Sequence, residues 1–213
     1  MKKILVVVDM QNDFITGPLG TPEAVSIVDK VVEKIRGEEW DYIFTTHDMH
    51  DDNYLETQEG KKLPIKHCQQ SDNGWKLNDK IFTELYHTMI SNKKTSWHST
   101  HKDTFGCLQL IDFMNRYVVY HTDISDADIE LTLVGVCTDI CVVSNALLLK
   151  AHYPEMKIVV DASCGAGSTP EKHRMALEVM KSCQVDVINE CTVNDDLDYI
   201  QTMLDGCKKE SEG

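Results

Sequence analysis

The sequence predicts a three-layer α/β/α fold, in which helices cover both faces of a central, mostly parallel β-sheet. Short apolar runs rich in β-branched residues alternate with longer segments of helical periodicity along most of the chain. Continuous apolar runs of this kind are typical of parallel strands that are buried on both faces. The chain has 213 residues, of which 42% are apolar, so it can build one substantial core, and no internal repeat divides it.

Strands and helices follow one another in a regular order. A helix start is indicated where Thr21 can act as N-cap ahead of Pro22 and Glu23, and Gly37 is a stop signal for that helix. The predicted strands are Ile4–Val8, Tyr42–Thr46, Tyr86–Ile90, Leu131–Val136, Lys157–Val160 and Val185–Ile188, with Tyr117–Tyr120 as a candidate short addition. The predicted helices are 21–35, a helical or mixed segment at 76–85, Phe105–Met114, 138–153, Pro170–Ser182 and Asp195–Leu204.

The composition argues against several classes of protein. A net charge of −14 disfavours nucleic acid and anionic membranes as partners. No segment approaches transmembrane length, and the first residues are too soon acidic for a signal peptide. The eight cysteines form neither a CxxC pair nor a zinc-ribbon spacing. Their scatter through apolar segments fits a reducing compartment, so we expect a cytoplasmic protein.

The most informative stretch is residues 131–153, where a buried strand leads through Gly135 into a helix. Cys141 lies in the first turn of that helix, just past the carboxyl end of the strand. Ligands bind at such positions in open α/β sheets. Free N–H groups and the helix dipole there favour a thiolate, so we expect the pKa of this cysteine to fall. The alternative is a buried structural cysteine, as most free cysteines are; this stretch alone does not decide between them.

Two further strand ends carry charged residues. Asp9 leaves the first strand, where it could be a catalytic group or a cap for the following loop. Lys93 and Lys94 follow the predicted strand Tyr86–Ile90, and such a pair normally lies on the surface. If one of these lysines were buried beside a carboxylate and a thiol, those neighbours and the loss of solvent would shift its pKa, and the arrangement would be functional.

A candidate metal site follows the second strand. Asp48 and His50 stand two residues apart, on one side of an extended segment, and His67 comes later in a long irregular region of about residues 47–75. Two imidazoles and a carboxylate suit a divalent transition metal such as Zn, Mn or Fe. Spacing alone favours the alternative, that the three are solvated loop residues, and His47 is a rival donor.

Taken together and in this order, five motifs carry a family resemblance: VVVDMQNDF, THDMHDDNY, PIKHC, NKKTSW and GVCTDICV. They resemble those of the isochorismatase-like cysteine hydrolases, and within that superfamily the chain is most similar to nicotinamidases and pyrazinamidases. The similarity extends over almost the whole chain. It implies a single isochorismatase-like hydrolase domain over residues 1–213, with a Rossmann-like sheet.

The resemblance also assigns roles to individual residues. It implies a catalytic triad of Asp9, Lys94 and Cys141, with Lys94 preferred over Lys93 because Trp97 matches the family's aromatic residue three positions later. It implies a cis peptide between Val136 and Cys137 and an oxyanion hole made by the N–H groups of Cys137 and Cys141. The metal set of the family falls on Asp48, His50 and His67, with Zn expected and Mn or Fe as alternatives. Phe14 and Trp97 would form apolar walls for the substrate.

The function implied is hydrolysis of nicotinamide to nicotinate and ammonia through a cysteine thioester, in NAD salvage, with pyrazinamide as a second substrate and a homo-oligomeric assembly. One alternative is a cysteine hydrolase for another small amide or ureido compound. A non-catalytic scaffold and a redox protein using Cys137 and Cys141 are the other classes considered. Three features depart from the family. The Tyr117–Asp128 segment makes the stretch between Lys94 and Cys141 longer than usual, and Asn53 and Tyr54 stand where many nicotinamidases carry a further histidine. Cys137 stands where a smaller or non-sulfur residue is common.

Overall fold

A six-stranded, entirely parallel sheet forms the centre of the molecule. The computed structural model describes residues 1–70, 72–92, 94–120 and 124–190. In the order β3-β2-β1-β4-β5-β6, the sheet places β1 and β4 at its middle. The strands are β1 (Lys2–Val8), β2 (Tyr42–Asp48), β3 (Ser96–Lys102), β4 (Ile129–Val136), β5 (Lys157–Ala166) and β6 (Asp186–Ile188).

Helices cover both faces of this sheet, which confirms the predicted three-layer fold. The helices are α1 (Asn12–Ile15), α2 (Pro22–Ser26), α3 (Val28–Gly37), α4 (Gln58–Lys62), α5 (Asp79–Ser91), α6 (Leu108–Met114), α7 (Val143–His152) and α8 (Pro170–Ser182). One face of the sheet carries α1, α2, α3 and α5, and the other face carries α6, α7 and α8. None of the helices in these described ranges combines the length and apolar character needed to cross a bilayer.

Strand β1 shows how the sequence produces the two cores. Its alternate residues Ile4, Val6 and Val8 point into the core beneath α6, α7 and α8. Leu5 and Val7 point into the opposite core, beneath α1, α2, α3 and α5. All five side chains are fully buried, as expected for a central parallel strand, whose continuous apolar run has no solvent-facing side.

Helix boundaries follow the capping signals in the sequence. The Thr21 hydroxyl accepts a hydrogen bond from the Ala24 N–H at 3.0 Å, and Pro22 opens α2. Likewise, Thr169 caps α8 by accepting from the Lys172 N–H at 3.2 Å. Each cap satisfies a backbone donor that the first helical turn leaves without a partner.

Two predicted strands are wrong. Tyr86–Ile90 lies inside helix α5, because its apolar residues belong to a helical pattern that buries Ile81 and Leu85. Tyr117–Tyr120 overlaps a wide helical turn, Asn115–Val119, that continues α6. The third strand is β3, which was not predicted because most of its residues are polar and the strands were identified from apolar runs. The predicted helix Asp195–Leu204 lies outside the described residues.

Candidate functional site

The turn that follows β4 carries Cys141. It spans Thr138–Val142 and leads directly into α7. The Val136–Cys137 peptide is cis, which confirms the expectation from the resemblance. The Asp139 carboxylate anchors the turn by accepting hydrogen bonds from the Ser168 N–H and hydroxyl, both at 2.7 Å. The turn is therefore held at the carboxyl edge of the sheet, where parallel α/β folds bind their ligands.

A carboxylate, an ammonium and a thiol meet at this edge. Asp9 follows β1 with φ of 49°, and Thr46 donates a hydrogen bond to its Oδ1 at 2.6 Å. Lys102, the last residue of β3, places its Nζ 2.7 Å from Asp9 Oδ2 and 3.5 Å from Cys141 Sγ. All three side chains are buried. A non-glycine residue with positive φ is uncommon, and such backbone strain is found most often at functional sites.

The lysine of this group is Lys102, so the prediction of Lys94 is wrong. Lys94 is exposed in the turn that precedes β3, where its N–H bonds to the side chain of Asn92. Because β3 begins at Ser96, Lys94 lies at the amino edge of the sheet, and Asp9 and Cys141 lie at the carboxyl edge. Lys93 is outside the described residues.

The prediction that Trp97 lines the substrate site is wrong for the same reason. Trp97 pairs with Ile43 in the amino-terminal half of β3 and packs edge-on against Phe82. It belongs to the sheet face opposite the one that contains Cys141. The sequence did contain a signal for Lys102 as the family's lysine, since Lys102 is also followed three residues later by an aromatic residue, Phe105.

Burial controls the protonation of the three groups. Full burial, reinforced by the nearby Asp9 carboxylate, raises the pKa of Cys141 well above its usual value, although Lys102 opposes this. The expectation of a lowered thiol pKa is therefore wrong, because burial and the Asp9 carboxylate outweigh the opposing effect of Lys102. Burial also raises the pKa of Asp9, against the opposing effect of Lys102. For Lys102, burial favours the neutral amine, but Asp9, Cys141 and Asp48 raise its pKa.

Beside this group lies the predicted metal cluster. One ligand atom from each of Asp48, His50 and His67 lies within 4.8 Å of the others, and all three residues are buried. Asp48 ends β2, and the His50 N–H bonds to the carbonyl of Cys68, which brings His67 alongside. Asp48 Oδ2 lies 3.0 Å from His50 Nε2 and 3.3 Å from His67 Nε2. Lys102 Nζ lies 3.3 Å from Asp48 Oδ1 and so joins the cluster to the first group.

The three side chains are suited to hold a metal ion. The Nδ1 of His67 lies 2.8 Å from the carbonyl oxygen of Ile65. A carbonyl only accepts, so Nδ1 carries a proton, and Nε2 is the nitrogen that faces Asp48 and would bind an ion, the arrangement usual for metal-bound histidines. The buried Nε2 of His50 has no hydrogen-bond partner, although it lies near Asp48, which leaves it free to coordinate.

Two other residues near the cluster differ in their relation to it. Glu59, which sequence reasoning missed, places Oε1 3.8 Å from His50 Nε2 and is a candidate fourth ligand. His47, the rival donor, contacts Thr45 instead at 3.2 Å, and its ring packs on Trp75 and His101. Burial lowers the pKa of His47 to about 4.

A cleft of about 720 Å³ opens beside the cluster. His50, Glu59, Phe105 and Ile140 are among the residues that line it. Phe14 packs edge-on against the His67 ring, with centroids 5.6 Å apart. Phe105 was not predicted as a wall, because the lysine and its following aromatic residue had been placed eight positions too early.

The chain is similar to several known proteins. A family model described as the isochorismatase domain matches residues 3–105 and 110–190. A nicotinamidase from Saccharomyces cerevisiae is 25% identical over 224 residues, covering 88% of this chain and 100% of the relative.

Two solved structures are also similar. That of nicotinamidase PncA from Bacillus subtilis is 27% identical with a TM-score of 0.69, covering 88% of this chain and 99% of that chain. That of pyrazinamidase from Pyrococcus horikoshii in complex with zinc is 24% identical with a TM-score of 0.67, covering 89% and 100%. The family model spans most of the chain and the fold agrees throughout, so the chain belongs to the isochorismatase family.

Proposed function

We propose that the protein is a nicotinamidase that hydrolyses nicotinamide to nicotinate and ammonia, and also accepts pyrazinamide, in NAD salvage. The family and its nicotinamidase relatives identify the chain as an amide hydrolase; the substrate is the proposal. The observation that carries it is the position of Lys102 Nζ, in contact with Asp9, Cys141 and Asp48 at once. This lysine unites a nucleophile, a base and a candidate metal cluster in a single buried site.

Asp9 is the proposed general base. The Cys141 thiol is neutral at rest, because its pKa is raised by burial and by Asp9. The pKa of Asp9 is also raised by burial, which makes it a better proton acceptor than an ordinary aspartate. When substrate arrives, the thiol proton passes to Asp9 as the sulfur attacks the carboxamide carbon. Lys102 stays protonated, and its ammonium stabilises the negative charge while that charge passes from the Asp9 carboxylate to the Cys141 sulfur.

The remaining steps use the same groups. Attack forms a C–S bond and a tetrahedral oxyanion, which the backbone N–H groups of Cys137 and Cys141 are proposed to stabilise. Protonated Asp9 gives its proton to the leaving nitrogen, the C–N bond breaks and ammonia departs. Asp9 then takes a proton from water, which attacks the thioester. The C–S bond breaks, the acid is released, and Asp9 returns the proton to the sulfur.

Asp48, His50 and His67 are the residues that would hold a divalent ion, with zinc expected and manganese or iron as alternatives. When bound, such an ion supplies a Lewis-acid position for the ring nitrogen of the substrate. The ion would thus help to orient the substrate, and the nucleophile would remain the Cys141 sulfur. Phe14 packs against the His67 ring, and Phe105, which lines the cleft, is proposed to provide an apolar surface for the pyridine.

The second candidate is a cysteine hydrolase for a larger amide or ureido compound. The volume of the cleft, about 720 Å³, favours it, because a single substituted pyridine ring would fill only part of that space. We further propose that residues 1–213 form one hydrolase domain and that the protein is a cytoplasmic homo-oligomer. Sedimentation of the purified protein would test whether it is an oligomer.

The experiment compares ammonia release from nicotinamide, pyrazinamide and benzamide, with metal content measured on the same samples. Benzamide has the shape of nicotinamide without the ring nitrogen. We expect about one divalent ion per chain and turnover of nicotinamide and pyrazinamide, with kcat/KM for benzamide lower by about 10²-fold, the loss of one well-placed interaction in a buried site. Bound metal with no turnover of either pyridine-type amide would exclude the nicotinamidase proposal and favour the second candidate. Equal turnover of benzamide would exclude the proposed role of the metal.

A further inference from the structure

Asn145 uses both ends of its amide group inside the protein. It lies in the first turn of α7, four residues after Cys141, and is fully buried. Its Nδ2 donates to the carbonyl of Cys141 at 2.8 Å and to the carbonyl of Phe105 at 3.2 Å. Its Oδ1 accepts from the N–H of Cys107 at 2.9 Å. Both amide protons and the oxygen are therefore satisfied, as burial of a carboxamide requires.

These bonds join two parts of the candidate site. The carbonyl of Cys141 belongs to the residue that carries the nucleophile. Phe105 and Cys107 belong to the loop 103–107, which connects Lys102 at the end of β3 to the start of α6. The Phe105 side chain is 48% exposed and lines the cleft. Cys107 precedes α6 without a side-chain cap of its own, and its N–H finds its acceptor on α7.

We propose that Asn145 is a positioning residue that holds the Phe105 wall of the cleft at a fixed distance from the Cys141 thiol. The inference rests on the proposed function for its kinetic part. A purely structural asparagine would contribute to stability only. A positioning asparagine also determines the distance and angle between the substrate carboxamide and the Cys141 sulfur. Without Asn145, the loop 103–107 could move relative to the nucleophile. A misplacement of about 1 Å costs up to about 10²-fold in rate.

The test uses two variants and one matched control. Asn145→Ala removes all three bonds. Asn145→Asp keeps the size and the acceptor for the Cys107 N–H, but it sets carboxylate oxygen against the carbonyls of Cys141 and Phe105. The control is Leu149→Val, one turn further along α7, which shortens a fully buried apolar side chain and leaves the three hydrogen bonds of Asn145 in place. The three proteins and wild type are compared for thermal midpoint, kcat and KM on nicotinamide, and the rate at which iodoacetamide alkylates Cys141.

For both Asn145 variants we expect kcat/KM to fall by about 10- to 100-fold, with KM raised. The kcat/KM of Leu149→Val should stay within about twofold of wild type after correction for the amount of folded protein. Combined with Phe105→Ala, the loss caused by Asn145→Ala should be less than additive, because both changes disturb the same wall. Kinetic constants within twofold of wild type in both Asn145 variants, or additive losses in the double variant, would overturn the inference.

The alkylation rate separates this inference from the proposed function. If wild type turns over no nicotinamide, the proposed function fails, and the reactivity of Cys141 decides the role of Asn145. A change of at least about threefold in Asn145→Asp, with Leu149→Val unchanged, would support positioning of the thiol. Equal alkylation rates in all four proteins would overturn it. Should Asn145→Ala not fold, Asn145→Asp carries the comparison.

Discussion

Lys102 is the residue on which the candidate site depends most. Its ammonium lies between two buried carboxylates, Asp9 and Asp48, at 2.7 and 3.3 Å. Burial would raise the pKa of Asp48, but the two imidazoles and Lys102 lower it, so this carboxylate is ionised. One ammonium near two carboxylates leaves negative charge in a desolvated place, which a divalent cation held by Asp48, His50 and His67 would compensate.

Lys102 and Lys94 provide a direct test at this scale. Replacing Lys102 by methionine keeps the length of the side chain and removes the charge, so Asp9 and Cys141 lose their shared partner. We expect kcat/KM to fall by about 10²- to 10⁴-fold, the range for loss of a group engaged in proton transfer. Lys94→Met, on the exposed turn, should change kcat/KM by less than twofold. Steady-state ammonia release measures both, with circular dichroism to verify folding.

The outcome that would contradict this assignment is the reverse pattern. A Lys94→Met protein that loses activity, beside an active Lys102→Met protein, would restore the lysine expected from the resemblance.

At the scale of elements, the apolar strands were predictable and the polar strand was not. Strand β1 contains the continuous apolar run Ile4–Val8, and β4 is apolar apart from Glu130 and Thr132, so their burial on both faces leaves few alternatives. The third strand, β3, has the sequence SWHSTHK and lies at the edge of the sheet. Edge strands tolerate polar residues, so hydrophobicity alone misses them. With Tyr86–Ile90 as the predicted third strand, Lys94 was expected just past a carboxyl strand end, whereas it precedes β3 and lies at the amino edge of the sheet.

The other parts of the site could be predicted because each is attached to a well-marked element. Asp9 follows the apolar run that ends β1, and Asp48 ends β2, which begins with the apolar residues Tyr42–Phe44. His50 and His67 were found by residue type and resemblance. Glu59, Phe105 and Asn145 were not found, because their roles depend on which loops and turns pack together across the carboxyl edge of the sheet.

Gly135 tests the packing of β1 against β4. Its φ is +115°, and a Cβ built there would lie 2.1 Å from the carbonyl oxygen of Val8, its partner in the sheet. Gly135→Ala should therefore lower the free energy of unfolding by about 2–5 kcal/mol, through backbone strain and a clash at the centre of the sheet. Urea denaturation measures the change.

The control is Gly37→Ala at the end of α3, where a Cβ meets nothing within 4 Å. This substitution should leave the free energy of unfolding unchanged or raise it by up to about 1 kcal/mol, because alanine is favoured over glycine in a helix. A Gly135→Ala protein as stable as wild type would show that β1 and β4 do not approach as closely as described.

At the scale of the whole molecule, the candidate site joins segments that are far apart in sequence. Asp9, the Asp48–His67 region, Lys102 and Cys141 span more than 130 positions of the chain. The parallel sheet brings them together, because every strand ends at the same edge. A ligand that binds there contacts several elements at once and should therefore stabilise the whole fold.

Metal binding should accordingly raise the thermal midpoint. An ion that binds only the folded protein adds about 2.7 kcal/mol of stability at a free concentration 100 times its Kd. We expect calorimetry to show a higher midpoint for protein with zinc than for protein treated with a chelator. The double variant His50→Gln/His67→Asn should show no difference between these conditions. An equal zinc-dependent shift in this variant would mean that the metal binds elsewhere.

The most direct test of the nucleophile is ammonia release from nicotinamide by wild type, Cys141→Ala and Cys137→Ala, measured side by side. Cys137 is the matched control, because it lies four residues earlier and its proposed contribution comes from the backbone N–H, which alanine retains. We predict activity in wild type and Cys137→Ala, and none above background in Cys141→Ala. Equal activity in Cys141→Ala and wild type would contradict a mechanism that proceeds through a thioester on Cys141.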